Sequence, residues 1–504
     1  MNLTTRHFMA SAAAVVVLCL GSPVSPAAAA AQPDPAAIAG VVEANLGPTR
    51  LPGVAVALVK NGRVLHTGGY GHDARGEPVT SRTPMRIASL SKSFTALAVM
   101  QLSEVVDLRL DDPVVRHLPE FSLADPRAEQ ITIRQLLDHS SGMSDTTYPE
   151  AGLPQPDSLR QAVADLRRAK LAAPPGRRHE YHNPNYWVAA RLVEVVSGLP
   201  FAEYLTQRVF TPLRMTSTVT VDNWQDPVPG LIDGHNRFVG ITWPRTEPDR
   251  FVAGSAGIVT TADDLAKWLA LHTRGTASTV LSKEGLRELH RPSAPDGHYA
   301  LGWDNPDPHN GPRQITHPGS SFTSTATMVL LPGSGYGIAL MSNSRMPLEA
   351  DVEAIMEDLI ALTQGTPGTG APLPLAFIAD LTALTAAIAI AAGGAVKARR
   401  ARRWAQRRAT AAPWRTTLRL VPYLLPLPVL AFLPRILELI AGGRGVTFVL
   451  LSHIWPTFLA TAGLTAATGI MIITARIRAL LREQRRQSAS APLHSQAHTS
   501  TTGT

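Results

Sequence analysis

Cysteine is almost absent from this chain of 504 residues, which contains only Cys19. That cysteine lies in the apolar stretch 8–20, which is followed by the small-residue run 27–31. The pattern predicts a secretory signal peptide over residues 1–31, with an uncleaved membrane anchor as the alternative. Cleavage near residues 29–31 leaves no cysteine, which excludes disulfides and a thiol nucleophile from the rest of the chain.

Several other patterns are missing. No Gly-x-Ser-x-Gly string occurs, so an elbow-type Ser-His-Asp hydrolase is not supported. His179 and His182 lack the accompanying carboxylate or cysteine pattern of a zinc site, and we expect no metal and no cofactor. The net charge of +8 comes from the C-terminal part: residues 397–504 hold sixteen Lys+Arg and two acids, leaving 31 basic against 37 acidic residues elsewhere. This distribution excludes a nucleic-acid-binding domain.

Lysine is also scarce, and one of the six lysines has a distinctive setting. Lys92 is the only lysine with a serine three residues before it, Ser89. That spacing places both side chains on one helix face, and the apolar run 94–102 predicts a helix buried on most sides. Because burial lowers the pKa of a lysine, Lys92 is a candidate base for a Ser89 nucleophile. A surface serine beside a snorkelling lysine is the alternative for an isolated Ser-x-x-Lys string.

A second candidate motif is Tyr181-His182-Asn183, the only Tyr-x-Asn string in the chain. The Tyr181 phenol is suited to relaying a proton. The Asn183 amide is suited to holding both a lysine and a substrate carbonyl. We expect His182 to act as a spacer between them.

The third candidate motif, His317-Pro318-Gly319, is predicted to end a strand. Gly319 permits close approach of a substrate, and the amide of Ser320 is a candidate oxyanion donor. Two other His-x-Gly strings start at His66, in a predicted hairpin, and at His309, in a loop rich in Pro and Asn. Their positions suit a substrate site less well than His317 does.

The order of predicted elements indicates an α+β fold. A helix over 35–45 precedes two strands within 53–71 that meet at Asn61-Gly62, a strong hairpin signal. Residues 108–289 are mostly helical, with loops that include 223–250. The later patterns predict strands at 313–317, 325–332 and 336–343, followed by an amphipathic helix at 348–364.

A membrane region is predicted beyond the linker 365–372. Three apolar segments follow, at 373–396, 420–441 and 446–473, and the first and third are long enough to span a bilayer. The middle one contains four prolines and two charged residues, which leaves a kinked span or a re-entrant segment open. The loop 397–419 has nine Lys+Arg and no acid, so it is predicted to be cytoplasmic. The tail 475–504 is basic and then disordered.

Together the motifs resemble those of the serine β-lactamase and penicillin-binding protein superfamily, on the class C and DD-carboxypeptidase branch. The resemblance covers about residues 35–364 and includes the strings LDDPVVRHLPEF, QLLDHSSGM, GSAGIVTTADDLAKW and LGW. It implies an antiparallel sheet flanked by helices, with an all-α region beside it. Ser-Asp-Asn, the second motif of class A enzymes, is absent, and Tyr-x-Asn at that place is typical of class C.

The resemblance also implies a role for each motif residue. Ser89 would be acylated, Lys92 would take its proton, Tyr181 would act as general acid and base, and Asn183 would position Lys92 and the substrate. His317 would stand in for the third-motif lysine. Gly319 would allow close approach, and the N–H groups of Ser89 and Ser320 would form the oxyanion hole.

One departure from the family pattern affects the expected substrate. Pro318 replaces the usual threonine and offers neither a hydroxyl nor an N–H. An unperturbed His317, with a pKa of about 6.5, would be mostly neutral at pH 8 and would attract a carboxylate more strongly toward pH 6. The chain is therefore expected to hydrolyse esters or amides, such as cell-wall D-amino-acid peptides, with weak selection for a free acid.

This interpretation places the catalytic domain outside the cytoplasm on a multi-pass membrane anchor. Its expected partners are a small-molecule or peptide substrate and the lipid bilayer, with no nucleic acid, while the oligomeric state stays open. The alternatives are a β-lactamase, a non-catalytic sensor or scaffold of the cell envelope, and a transporter accessory protein.

Overall fold

The computed structural model describes residues 32–276, 278–308, 311–345, 350–370, 374–440 and 445–489. The predicted signal peptide with Cys19, the string beginning at His309, part of the linker and the end of the tail lie outside these residues. The strands are β1 Gly53–Lys60, β2 Arg63–Gly71, β3 Met85–Arg86, β4 Val219–Thr220, β5 Gly234–Phe238, β6 Ile241–Arg245, β7 Ile258–Thr260, β8 Ile315–Ser320, β9 Thr325–Leu331 and β10 Tyr336–Ser342.

The helices before the membrane region divide into those on the sheet and those beside it. They are α1 Pro35–Thr49, α2 Ser91–Val105, α3 Val114–His117, α4 Ile133–Leu137, α5 Leu159–Asp165, α6 Pro184–Ser197, α7 Phe201–Leu205, α8 Ala262–Thr273, α9 Lys283–Leu289 and α10 Ala350–Gln364. Helices α1 and α10 pack together on one side of the sheet, and α8 packs on β1 and β10. Helices α2 to α7 form the helical region next to it.

The main sheet is antiparallel, with the strand order β2-β1-β10-β9-β8. Its opening hairpin turns at Asn61 and Gly62, whose φ angles of 49° and 78° suit the tight turn that the dipeptide predicts. Along β1, alternate side chains enter two different apolar clusters, one under α1 and α10 and one under α8. The sheet is therefore covered on both faces, and the predicted α+β fold with an adjoining helical region is confirmed.

The hairpin β5–β6 was not predicted, because its stretch of sequence was interpreted as a loop. Its strands carry polar residues, and Arg237 is buried, with its guanidinium 2.5 Å from the carboxylate of Asp351 and 2.6 Å from the Thr49 carbonyl. A strand stabilised by a buried ion pair lacks the apolar alternation that identifies most strands. The missing apolar pattern thus explains the failed prediction.

The C-terminal helices are α11 Leu375–Arg399, α12 Ala401–Gln406, α13 Pro413–Leu418, α14 Val421–Leu424, α15 Pro426–Ala431, α16 Leu433–Ile440, α17 Phe448–Ile454 and α18 Pro456–Ala489. Helices α11 and α18 pack together, and each is long and apolar enough to cross a membrane. The middle segment is bent by 66° between 421–431 and 433–440, which fits either a broken span or a re-entrant loop. The third predicted segment divides at Trp455, and its first part forms the separate helix α17.

Polar contacts join this region to the domain. Asp380 of α11 is buried and accepts hydrogen bonds from the N–H of Val239, at 2.9 Å, and from the hydroxyl of Thr457. The Val239 bond comes from the turn between β5 and β6. The hairpin is therefore one part of the domain that contacts the C-terminal helices.

Candidate active site

Ser89 lies in a single 3-10 turn, Ala88–Leu90, immediately before helix α2. Ala88 has a φ of +44°, a left-handed conformation that costs an alanine about 1 kcal/mol. The surroundings hold it there, since Ala88 is buried in a small apolar cluster with Trp224 and Phe322. The turn leaves the Ser89 side chain partly exposed at the wall of a cleft.

The Lys92 side chain is fully buried, one helical turn from Ser89. Its Nζ lies 3.2 Å from Ser89 Oγ, 2.9 Å from Asn183 Oδ1 and 3.0 Å from the Ser255 carbonyl oxygen. All three of these acceptors are neutral oxygens. The amine is thus held in hydrogen-bonding distance of the hydroxyl whose proton it would accept.

A buried ion pair orients Asn183. The Asn183 Nδ2 donates to Glu150 Oε1 at 2.9 Å, which leaves Oδ1 directed at Lys92. The two oxygens of Glu150 in turn accept from Arg250 at 2.6 and 2.8 Å, and the Glu150 side chain is only 4% exposed. Because a carboxylate only accepts hydrogen bonds, it fixes which end of the amide faces Lys92.

Tyr181 lies on the other side of the amine. Its ring centre is 4.7 Å from Lys92 Nζ and 4.3 Å from the ring centre of His139. Burial, with the charge of Lys92 as a smaller cause, lowers the pKa of His139 well below its usual value, so this neighbour is neutral. Ser89 and Tyr181 therefore line one cleft, and the buried Lys92 amine lies beside both of them.

His317 is buried in β8, and both of its ring nitrogens have partners within the protein. Nδ1 donates to the Pro318 carbonyl oxygen at 2.6 Å, so Nε2 accepts from the Tyr299 hydroxyl at 2.8 Å. Burial, followed by the charge of Lys92, lowers the pKa of His317 to about 3. The premise of an unperturbed histidine was therefore wrong, and a neutral His317 no longer predicts a rise in carboxylate attraction toward pH 6.

The third motif does not end its strand, as the sequence had suggested, but lies within β8, which continues to Ser320. The strand passes very close to the nucleophile turn. A Cβ built on Gly319 would lie 2.3 Å from the Ile87 carbonyl oxygen and 3.1 Å from the Ser89 backbone nitrogen. Only glycine permits this approach, which brings the backbone next to Ser320 alongside the Ser89 N–H.

The cleft has a volume of about 460 Å³, and both polar groups and an apolar cluster line it; we call these two sets its polar side and its apolar side. The polar side holds Ser89, Tyr181, Asn183, His317, Ser320 and the Glu150–Arg250 pair, and Arg345 also lines the cleft. The apolar side holds Trp224, Phe251, Val252, Phe322, Val446 and Leu450. A substrate with a neutral carbonyl group and an apolar substituent matches both sides.

The remaining histidine candidates have structural partners. His182 is buried and its Nε2 lies 3.0 Å from the Tyr148 carbonyl oxygen, while His179 Nδ1 lies 3.0 Å from Asp296. His66 lies in β2 with Nε2 2.9 Å from the Tyr70 hydroxyl. Among the residues that the structure describes, no group of three or more His, Cys, Asp or Glu side chains is arranged to hold a metal ion.

Four participants were not identified from the sequence. They are Ser255, which accepts from Lys92, Glu150 and Arg250, which orient Asn183, and Tyr299, which donates to His317. Ser255 lies in the string GSAG and Tyr299 comes just before LGW, so the family-like strings contained a signal. Nothing in the sequence pairs Glu150 with Arg250, because they are 100 residues apart.

Comparisons with known proteins agree with this geometry. The family model described as Beta-lactamase matches residues 38–363. Protein flp of Staphylococcus aureus (strain COL) is 27% identical over 315 residues, covering 60% of this chain and 62% of that protein. Penicillin-binding protein 4 of Amycolatopsis lactamdurans is 33% identical over 174 residues, covering 34% of this chain and 45% of that protein.

A solved structure supports the fold assignment. The octameric penicillin-binding protein homologue from Pyrococcus abyssi aligns with a TM-score of 0.57 at 24% identity, over 67% of this chain and 79% of that one. The family match covers more than half of the chain and contains the Ser89, Lys92 and Asn183 network. On that evidence, the chain belongs to the beta-lactamase family of serine hydrolases.

Proposed function

We propose that this chain is a membrane-tethered serine hydrolase that acts outside the cytoplasm, through an acyl-enzyme, on neutral esters or amides. One observation carries the proposal: the buried Lys92 amine contacts Ser89 Oγ at 3.2 Å and is held there by Asn183 and the Ser255 carbonyl. A sensor or scaffold needs no such network, and its completeness favours catalysis.

The proposed reaction has two steps. In the first, Ser89 Oγ bonds to the substrate carbonyl carbon, its proton passes to Lys92 after that amine has released its own proton, and the oxyanion accepts hydrogen bonds from the N–H groups of Ser89 and Ser320. Collapse breaks the bond to the alcohol or amine, which leaves with a proton relayed through Tyr181. In the second step, water attacks the ester carbonyl carbon, one of its protons passes through the same groups to Ser89 Oγ, and the bond between Oγ and the acyl carbon breaks to release the acid.

The third motif supports a neutral substrate. His317 is neutral, both of its ring nitrogens are engaged, and Pro318 offers no hydroxyl, so this motif gives a free carboxylate no ionic partner. The substrate classes that fit best are small esters, D-amino-acid amides and cell-wall D-amino-acid peptides. β-Lactams, which carry a carboxylate, are the second candidate class.

The nucleophile can be tested by covalent labelling of the full-length protein in detergent. A serine-reactive fluorophosphonate should attach to the peptide containing Ser89, and Ser89→Ala should abolish the labelling. Lys92→Ala should reduce it by at least about 100-fold with the fold intact, because Ser89 loses its base. Undiminished labelling of Ser89→Ala would refute the mechanism. Ser103→Ala, a change at a half-buried serine near the other end of the same helix, serves as the matched control.

The substrate class can be tested with four probes on the same preparation. They are a p-nitrophenyl ester, a D-amino-acid amide, a D-Ala-D-Ala peptide and a fluorescent penicillin. We expect turnover of the ester and the amide at pH 8 at least as fast as turnover of the two acids. Turnover of the penicillin alone would instead identify a β-lactamase.

The tethering proposal rests on charge and on contacts. The loop 397–419 carries nine positive charges, while the start of α11 and the helix α17 contact the domain through Asp380 and His453. Helix α11 is about 37 Å long, enough to carry the chain from the domain across a bilayer. In intact cells, external protease should digest the domain and spare the loop. Cleavage of the loop from outside would reverse the proposed orientation.

A further inference from the structure

The segment Gly445–Ile454, which we call the connector, lies between the second and third apolar segments and yet reaches the active-site cleft. Gly445, Val446, Thr447 and Leu450 line the cleft together with Ser89. The catalytic motifs all lie before residue 321, so this wall comes from a distant part of the chain. The predicted role of these segments as an anchor does not account for such a contact.

Several contacts fix the connector in position. A Cβ built on Gly445 would lie 3.6 Å from the Cβ of Ala151. At its other end, His453 Nε2 lies 3.1 Å from Arg245 Nε, and its ring centre is 5.3 Å from that of Phe322. Helix α17 begins with a side-chain cap, in which Thr447 Oγ1 accepts from the N–H of Leu450 at 3.1 Å. The connector is thus held at both ends against the domain.

Leu450 joins the connector to the chemistry. It packs against the apolar cluster that contains Trp224, Phe322 and Ala88, and Ala88 is the residue immediately before the nucleophile. Val446 also lines the cleft. An apolar group on a substrate bound at Ser89 would therefore contact side chains of the connector.

We propose that the connector is a substrate-selecting wall of the active site, in which Val446 and Leu450 contact the apolar acyl group of the substrate. The proposal deepens the proposed function and rests on it for the acyl-enzyme. It assigns the C-terminal segments a part in substrate selection as well as in anchoring. The class of substrate it points to is an ester or amide whose acyl part carries an extended apolar group.

The position of the wall is tested without any activity measurement. In the full-length chain with Cys19→Ser, the pair Ala151→Cys and Gly445→Cys should form a disulfide under mild oxidation, because the Cβ separation of 3.6 Å lies in the range of natural disulfides. The matched control pairs Ala151→Cys with Gly463→Cys, which lies within helix α18 and should not cross-link. Absence of the first disulfide, with Ser89 still labelled by fluorophosphonate, would show that the connector does not lie at the cleft. The proposed function would be unaffected.

Selection is tested by filling the cleft. Leu450→Trp should lower the kcat/KM ratio of p-nitrophenyl octanoate to p-nitrophenyl acetate by about tenfold or more, because the larger ring occupies the space of the longer acyl group. Val449→Trp is the matched control, since Val449 is adjacent on α17, is 51% exposed and does not line the cleft. Equal ratios in the two variants would overturn the selecting role. Failure of Ser89 to label would instead reject the proposed function.

Discussion

The charge state of His317 leads to a prediction about how substrate selection depends on pH. With its pKa lowered to about 3, fewer than about one molecule in a thousand carries a protonated His317 at pH 6. An unperturbed histidine would be about three-quarters protonated there and only about 3% protonated at pH 8. With the lowered pKa, the preference for an acid over its amide stays constant from pH 8 to pH 6. With an unperturbed pKa, the preference for the acid would rise about 25-fold over the same range.

The assay compares a D-Ala-D-Ala peptide with its C-terminal amide as separate substrates of the full-length enzyme, from pH 8 to pH 6. Both substrates require the same Ser89 and Lys92, so titration of the catalytic groups cancels in the ratio of their kcat/KM values. The substrate carboxyl stays ionised over this range. We expect the acid-to-amide ratio to change by less than about twofold, and His317→Gln to leave that pH dependence unaltered.

Two results would refute this reasoning. A ratio that rises about tenfold toward pH 6, and no longer rises in His317→Gln, would show that His317 is protonated at the site. A preference for the acid of about 100-fold at pH 8, which corresponds to about 2.7 kcal/mol, would show that another group binds the carboxylate. Arg345, which lines the cleft, would then be the first residue to replace. The double change His317→Lys with Pro318→Thr should move selectivity toward the acids.

Three further predictions concern other parts of the site and the core. Gly319→Ala should lower kcat by at least about 100-fold, because its Cβ would displace the strand from the Ser89 N–H, and unchanged kinetics would contradict that approach. Glu150→Gln should lower kcat about tenfold with little change in KM, because a glutamine no longer fixes the Asn183 amide; an unaltered kcat would contradict this role. Burial lowers the pKa of His290 to about 4, so the unfolded chain binds its proton first and the free energy of unfolding falls as pH drops from 6.5 toward 4. The decrease in the free energy of unfolding between pH 7 and pH 5, measured by denaturation, should therefore be about 2 kcal/mol smaller in His290→Gln than in the wild type. The same decrease in both proteins would contradict this prediction.

The sequence predicted the fold, because the fold depends on local patterns, and the structure brings the motif residues Ser89, Lys92 and Asn183 together. The hairpin at Asn61-Gly62 and the helix after Ser89 follow from turn chemistry and apolar spacing. The three motifs lie far apart in the sequence, but their resemblance to a known family assigned them to one site. In the structure, Lys92 Nζ lies 3.2 Å from Ser89 Oγ and 2.9 Å from Asn183 Oδ1.

What the sequence did not predict depends on contacts between distant residues. The pairing of Glu150 with Arg250 and the bond between Tyr299 and His317 arise only after folding, and neither partner has a local pattern that identifies the other. The low pKa of His317 follows from burial, which a sequence does not quantify. The same limit applies to Leu450, because its segment has the composition of a membrane span.

The two sides of the cleft place complementary limits on the substrate. On the polar side, the roles proposed for Lys92 and Asn183 suit any carbonyl group, and a neutral His317 adds no ionic contact that would select an acid. Discrimination must then come from the apolar side, where burial of each methylene contributes about 0.8 kcal/mol. Because Leu450 supplies part of that apolar lining, the proposed wall would let a chain segment outside the catalytic domain influence which acyl group reaches Ser89. If the chain is tethered as proposed, the same C-terminal segments would serve both anchoring and substrate selection.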